Sequence, residues 1–201
     1  MKKRSQSIEK TTETRRKIIV SALAEFNQLG FAKSKIASIA ANASLGKGTI
    51  YSYFETKESL FEGVVDYLIQ ETYHPIQSSE LGKDQKVQDF ILEQMLPAID
   101  NIEQAGRADI ARLMLREGQA FNDILQMYNQ KIYEPGLKEL SILIDIAKAK
   151  NELKTTTNTL SLAALIIAPI WMGMIHNGIL RPEQQLNIRE MFDANVKSIF
   201  E

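Results

Sequence analysis

Cysteine is absent from this 201-residue chain. That excludes a disulfide framework and thiolate metal centres, and it fits a reducing cytoplasm. Histidine is nearly absent too, with only His74 and His176. A di-iron helical bundle needs two Glu-x-x-His motifs plus two further carboxylates. Glu71-Thr72-Tyr73-His74 supplies one such motif, but Gly173 stands where His176 would need its glutamate. No Ser-His-Asp order, phosphate-binding glycine loop or dinucleotide fingerprint occurs, so the sequence makes no case for an enzyme or for a cofactor. The opening MKKRSQSIEK is basic but has no apolar run behind it, which excludes a secretory signal there. Alternation of the strand type is missing, and so is any internal repeat. Only one long apolar run exists, Leu162 to Ile175. It falls short of the roughly twenty residues a membrane span needs, contains Pro169 and ends in His176-Asn177. A buried helix at a bundle core or subunit interface accounts for it better.

What is present supports a folded helical protein. The chain is 44% hydrophobic and 24% charged, which argues against disorder. Its formal net charge of −1 hides an asymmetry: residues 1–60 carry eleven basic against five acidic groups, and the remainder carries thirteen against twenty. A basic first third on an acidic body is what nucleic-acid binding by one end requires. Lys2, Lys3 and Arg4 read as a phosphate-gripping arm or a solvated tail.

Periodicity places helices at about 12–29 (capped by Thr11 or Thr12, stopped by Gly30), 36–42, 47–54 and from Thr56 towards His74-Pro75. Further helices are expected at about 84–104 (kinked at Pro97), 108–119, 122–151 (interrupted at Pro135-Gly136) and 160–180. The Thr155–Asn158 cluster supplies a cap for the last of these, and Pro182 opens a final helix ending near Phe200. The fold expected is all-α with about nine helices: a three-helix DNA-binding end over residues 1–60 and a C-terminal bundle over 61–201.

Residues 30–60 are the most informative. Ile36, Ile39 and Ala40 recur at i, i+3, i+4; Ala43-Ser44-Leu45-Gly46 breaks the pattern, with Leu45 as the apolar plug of a tight corner. In the next helix, Lys47–Phe54, Ile50 and Phe54 face inward, leaving Lys47, Thr49, Tyr51, Ser52 and Tyr53 for a solvent or ligand face. This is the pattern of a helix-turn-helix, whose second helix enters a DNA major groove. Lys35 and Ser38 on the preceding segment join this face, and Gly48 permits close approach of the backbone to DNA.

The resemblance goes further. Ala22, Glu25, Phe26, Gly30 and Phe31, then S-K-I-A-S-I-A at 34–40, then G-K-G-T-I-Y-S-Y-F-E-T-K-E-S-L at 46–60 resemble the DNA-binding domain of TetR/AcrR-type one-component regulators. The match covers about residues 12–64. It implies DNA proximity for Lys47, Thr49, Tyr51 and Tyr53, and a phosphate for Lys57 at the start of the fourth helix. It also implies a homodimer on near-palindromic double-stranded DNA and a repressor released by a small, largely apolar effector. Stretches from Ala111-Arg112-Leu113-Met114 through Glu134-Pro135-Gly136 to Pro169-Ile170-Trp171 resemble the ligand-binding half of such regulators. Met95, Met114, Phe121, Tyr128, Trp171, Met172 and His176 are the candidate pocket residues there, although most aromatic and Met side chains of a bundle are core. Dimerisation is expected from the faces Leu162, Leu165, Ile166, Ile170 and Ile188, Met191, Phe192, Val196, Ile199. The competing reading is a helical carrier of an apolar small molecule, with the basic face incidental.

Overall fold

The structure, a computed structural model, describes residues 2–72 and 75–201. The side chains of Lys2, Lys3 and Arg4, and His74 of the Glu-x-x-His pattern, lie outside what it describes. Among the described residues there are helices and no strand, and the chain divides into two compact units.

The first unit comprises residues 1–71 together with 113–127. It holds α1 (Lys2–Lys33), α2 (Ile36–Asn42), α3 (Lys47–Tyr53) and α4 (Lys57–Thr72). The α1 helix starts well before the expected Thr12, because nothing between Lys2 and Thr11 is a helix breaker, and neither Thr11 nor Thr12 acts as its cap. The expected stop does occur at Gly30, whose φ of 77° lies in the left-handed region; one further helical turn carries on to Lys33. Thr56 caps α4 as expected. The Ser59 N–H donates to Thr56 Oγ1 at 3.0 Å, and the Thr56 N–H donates to Ser59 Oγ at 3.1 Å. The core of this unit is aromatic. Phe26, Phe31 and Phe61 are almost wholly buried, with ring centres 5.2–5.6 Å apart, and Phe121 meets the Phe31 ring edge-on at 4.9 Å. Each such pair adds about 0.5–1.5 kcal/mol to the burial of its area.

The second unit, residues 72–112 and 128–201, is a bundle. Its helices are α5 (Val87–Asp100), the start of α6 (Arg107–Glu117), most of α7, α8 (Thr159–Ile175) and α9 (Ile188–Phe200). The α7 helix runs through Asn122–Tyr128, a π-turn at Asn129–Tyr133 and Glu134–Ala149. The π-turn precedes Pro135, which has no N–H to give the Lys131 carbonyl, so the Glu134 N–H reaches back five residues to Asn129. Around the bundle, α5 touches α7, α7 touches α8, α8 touches α9 and α9 returns to α5. Phe90, Leu143, Ile166 and Phe192 fill the middle. Asn158 caps α8, accepting from the Ser161 N–H at 2.8 Å, as expected from the polar cluster before it.

Two further helices differ in extent from the sequence reading. The α5 helix is shorter at both ends than 84–104, because the chain turns after Asp100 towards a left-handed Gly106. The last helix begins at Ile188 rather than at Pro182. The Asn177 side-chain amide accepts the Leu186 N–H at 2.7 Å and donates to the Leu186 carbonyl at 3.0 Å, drawing 181–187 into a loop, and Asn187 then caps α9 through the Glu190 N–H. Gly173 is obligatory for the α8–α9 approach, because a Cβ there would overlap Ile188. Arg112 is buried and donates to both Glu103 oxygens at 3.0 and 2.8 Å, to Asp109 and to the Met174 carbonyl. Those carboxylates raise its pKa further above the ordinary arginine value. Its guanidinium lies against Gly178 in the π-turn His176–Leu180 that ends α8.

Candidate nucleic-acid interface

The α2–α3 corner is built from short-range chemistry. Ser44 takes the left-handed conformation, with φ 56°, while the Leu45 N–H returns to the Ala40 carbonyl. Leu45 is half-buried, Ile39 and Ile50 are fully buried, and Gly46 precedes α3 in an extended conformation. With Ile50 inward, α3 presents Lys47, Gly48, Tyr51 and Ser52 to solvent, and Thr49 and Tyr53 are half-exposed. The Lys47 ammonium sits 5.7 Å from the centre of the Tyr51 ring, one turn along, so cation and aromatic face form one patch. The Ser52 hydroxyl donates to the Thr49 carbonyl at 2.7 Å. Gly48 has open space where a Cβ would point, so nothing within the chain demands a glycine at this exposed helical position.

Lys35 is exposed at the start of α2, its backbone N–H held by the buried Glu25 carboxylate at 3.3 Å, and Ser38 is half-exposed one turn on. Of the nine sequence-predicted residues, eight therefore lie on α2, α3 or the start of α2 with side chains at least partly open. Lys57 is differently engaged. Its ammonium donates to the Phe31, Ser34 and Ala32 carbonyls at 2.7, 3.3 and 3.4 Å, at the end of α1. Arg15 lies over the Phe54 ring at 5.3 Å, and a hydrogen bond joins Arg16 to Tyr67. An open groove of about 510 Å³ lies between α1 and the α2–α3 corner, lined by Arg16, Lys17, Asn42 and Ser44 among others.

The candidate pocket residues are spread over both units. Met114 and Phe121 belong to the first, where Met114 is buried and Phe121 lies on Phe31. Met95, Tyr128, Trp171, Met172 and His176 belong to the second. There Trp171 meets Tyr133 edge-on at 6.3 Å, a partner outside the candidate set, and His176 Nε2 lies 2.9 Å from the Gln184 carbonyl. Met172 points to solvent. Among the described residues no cluster of His, Cys, Asp or Glu is placed to hold a metal ion.

The profile of bacterial regulatory proteins of the tetR family matches residues 18–64, the span containing α2, α3 and the start of α4. Over that span the chain is similar to the tetR family. Over 92 residues it is 33% identical to the HTH-type transcriptional regulator YhgD of Bacillus subtilis, covering 45% of this chain and 42% of that protein. The chain thus spans less than half the length of the curated relative it matches. Solved tetR-type structures share its all-α fold over nearly their whole length. One is SmeT, the repressor of the Stenotrophomonas maltophilia multidrug efflux pump SmeDEF, with a TM-score of 0.70 and 16% identity over 93% of this chain and 90% of that one. Another is the TetR family transcriptional regulator PfmR of Thermus thermophilus, with a TM-score of 0.69 and 12% identity over 91% and 96%.

Among the described residues one helix, Thr159–Leu180 with its π-turn, is by length and composition apolar enough to cross a membrane. Its apolar residues divide between two faces. Leu162, Ala163, Ile166, Gly173 and Met174 are buried in the bundle. Leu165, Met172 and Ile179, seven residues apart, are 50%, 45% and 45% exposed, with the exposed Ala168 between the first two. Five residues of the expected dimer faces, Leu162, Ile166, Ile188, Phe192 and Val196, are buried within the single chain and are not free to meet a partner.

Proposed function

We propose that this protein is a sequence-specific DNA-binding transcriptional regulator acting as a homodimer in the cytoplasm. The observation that carries the reading is the α3 surface: an exposed Lys47–Tyr51 patch beside a glycine, Gly48, that the fold itself does not need. Arg, Lys and hydroxyl side chains at the start of a recognition helix reach base edges or phosphates. A backbone without a side chain lets that helix sit deeper in the groove.

The dimer rests on the second face of α8. A row of Leu165, Ala168, Met172 and Ile179 has the spacing of a helix–helix seam, and a second copy related by a two-fold axis covers it. The same bare face on a tetR-type bundle is the reason we do not read Thr159–Leu180 as a membrane span. Two α3 helices then meet inverted half-sites about 34–36 Å apart, or a multiple of that.

Regulation is read as repression, relieved when a small apolar effector binds the bundle near Trp171. SmeT, a similar fold, is a repressor of an efflux pump. Release requires a ligand with different affinities for the two states of the protein. By linkage, operator DNA must then weaken ligand binding by the factor by which ligand weakens DNA binding. Enrichment of bound fragments from random DNA, and then a ligand screen for release with Trp171 emission as readout, tests both parts. A carrier of an apolar molecule would bind ligand but enrich no DNA sequence.

A further inference from the structure

Glu117, at the end of α6, accepts the backbone N–H of Ala32 at 2.9 Å across 85 residues of sequence. Its other carboxylate oxygen occupies the place a Cβ on residue 30 would take, so a side chain there would displace Glu117, while the φ of 77° itself favours glycine. On the same few residues, Lys57 takes the carbonyls of Phe31, Ala32 and Ser34. The turn between α1 and α2 thus has a donor held by an anion and its acceptors held by a cation. Phe121, four residues beyond Glu117, closes over the Phe31 ring.

This turn leads directly into the helix-turn-helix. The Ser34 hydroxyl donates to the Glu25 carbonyl at 3.2 Å and to the Gly30 carbonyl, and the Lys35 N–H donates to the Glu25 carboxylate. Lys35 is the residue from which α2 departs. The direction of α2, and with it α3, is therefore set by backbone that Glu117 holds. A backbone N–H to carboxylate bond is charge-assisted and directional, so it fixes orientation as well as adding stability.

We propose that Glu117 is a positioning residue for DNA binding: from the α6–α7 corner its carboxylate fixes the Gly30–Ala32 turn and so sets the pose of α2 and α3 on α1. The inference rests on the DNA-binding reading above. A contact that merely adds stability would leave the DNA affinity of the folded protein unchanged.

The test uses the full chain and DNA fragments enriched by the wild type, at a temperature where every variant is fully folded by circular dichroism. Glu117→Ala should bind about tenfold more weakly, and the Ala32 amide should exchange faster while the α8 and α9 amides do not change. Glu117→Gln keeps an acceptor of the same reach and should restore most of the affinity. If Glu117→Ala does not fold, Glu117→Asp, one methylene shorter, reads the same quantity and should bind more weakly than Glu117→Gln. Wild type that enriches DNA, with Glu117→Ala or Glu117→Asp binding it equally well, overturns the role of Glu117 alone. Unchanged Ala32 exchange in those variants overturns it too. Wild type that enriches no DNA overturns the DNA-binding reading and takes this role with it, whatever the exchange data show.

Discussion

The Lys57 ammonium donates to the Phe31 carbonyl at 2.7 Å and stands 4.4 Å from the centre of the Phe31 ring. A residue at the first turn of α4 thereby neutralises the carbonyl end of α1, where cations are favoured. We expect Lys57→Met, which keeps the stem and loses the charge, to destabilise the first unit by about 1–2 kcal/mol. Urea unfolding monitored by far-ultraviolet circular dichroism measures this. An unchanged midpoint would mean that the ammonium contributes nothing to holding α4 on α1.

Gly48 separates folding from binding. With open space at its Cβ position and a helical conformation, Gly48→Ala should stabilise the chain by about 0.5–1 kcal/mol. DNA binding should nevertheless weaken, because the added methyl meets the groove. Thermal melts and gel shifts on the same preparation check both halves, and tighter DNA binding by Gly48→Ala would remove the close-approach argument.

Base contacts and phosphate contacts leave different signatures. Tyr51→Ala should cost about 1–3 kcal/mol on the preferred site and less on random DNA. Lys35→Ala should weaken both alike and lower the slope of log affinity against log salt by about 0.9, one phosphate's worth. A uniform loss for Tyr51→Ala would place its ring away from the bases.

The two faces of α8 should respond oppositely to charge. Met172→Glu, on the exposed face, should give a folded monomer with greatly reduced operator affinity. Phe192→Glu, in the bundle core, should unfold the second unit, since an unpaired buried charge is costly. Sedimentation and melting distinguish these outcomes, and a Met172→Glu protein that stays dimeric would move the interface elsewhere.

Acid should act partly through Glu139. Its carboxylate accepts the Ser78 N–H at 2.7 Å, and that bond holds its pKa below the ordinary carboxylate value. The lowered folded pKa means a stabilising contribution that is complete above the unfolded value and is lost as pH falls through the folded one. Glu139→Gln should therefore lower stability at neutral pH, leave it nearly unchanged in acid, and so flatten the acid limb of the stability profile. An acid limb identical to the wild type would contradict the assignment.

Legibility in the sequence tracked the range of the interactions. The α2–α3 corner was readable because Ile36, Ile39, Ala40 and the Ser44-Leu45-Gly46 break act within a dozen residues, and Gly30, Thr56 and Asn158 signal helix ends by local chemistry. The Glu117–Ala32 bond was not readable, since no local pattern ties residues 85 positions apart. Faces of α8 could not be separated either: a helix apolar all round has no periodicity to say which side its own bundle takes. Pro182 is a good first-turn residue, yet the Asn177–Leu186 pair, a tertiary contact, moves the helix start to Ile188. The resemblance alone places Lys57 on a phosphate, and nothing in the sequence announces the carbonyls that engage it.

The DNA that the purified wild-type chain selects from a random pool, mapped by footprinting, tests sequence-specific binding by a dimer most directly. One inverted repeat should be enriched, protected in two half-sites about one helical turn or a multiple apart, with one dimer bound and protection lost for Met172→Glu. Enrichment of no sequence, or of a single unpaired half-site bound equally well by a monomeric variant, would contradict it.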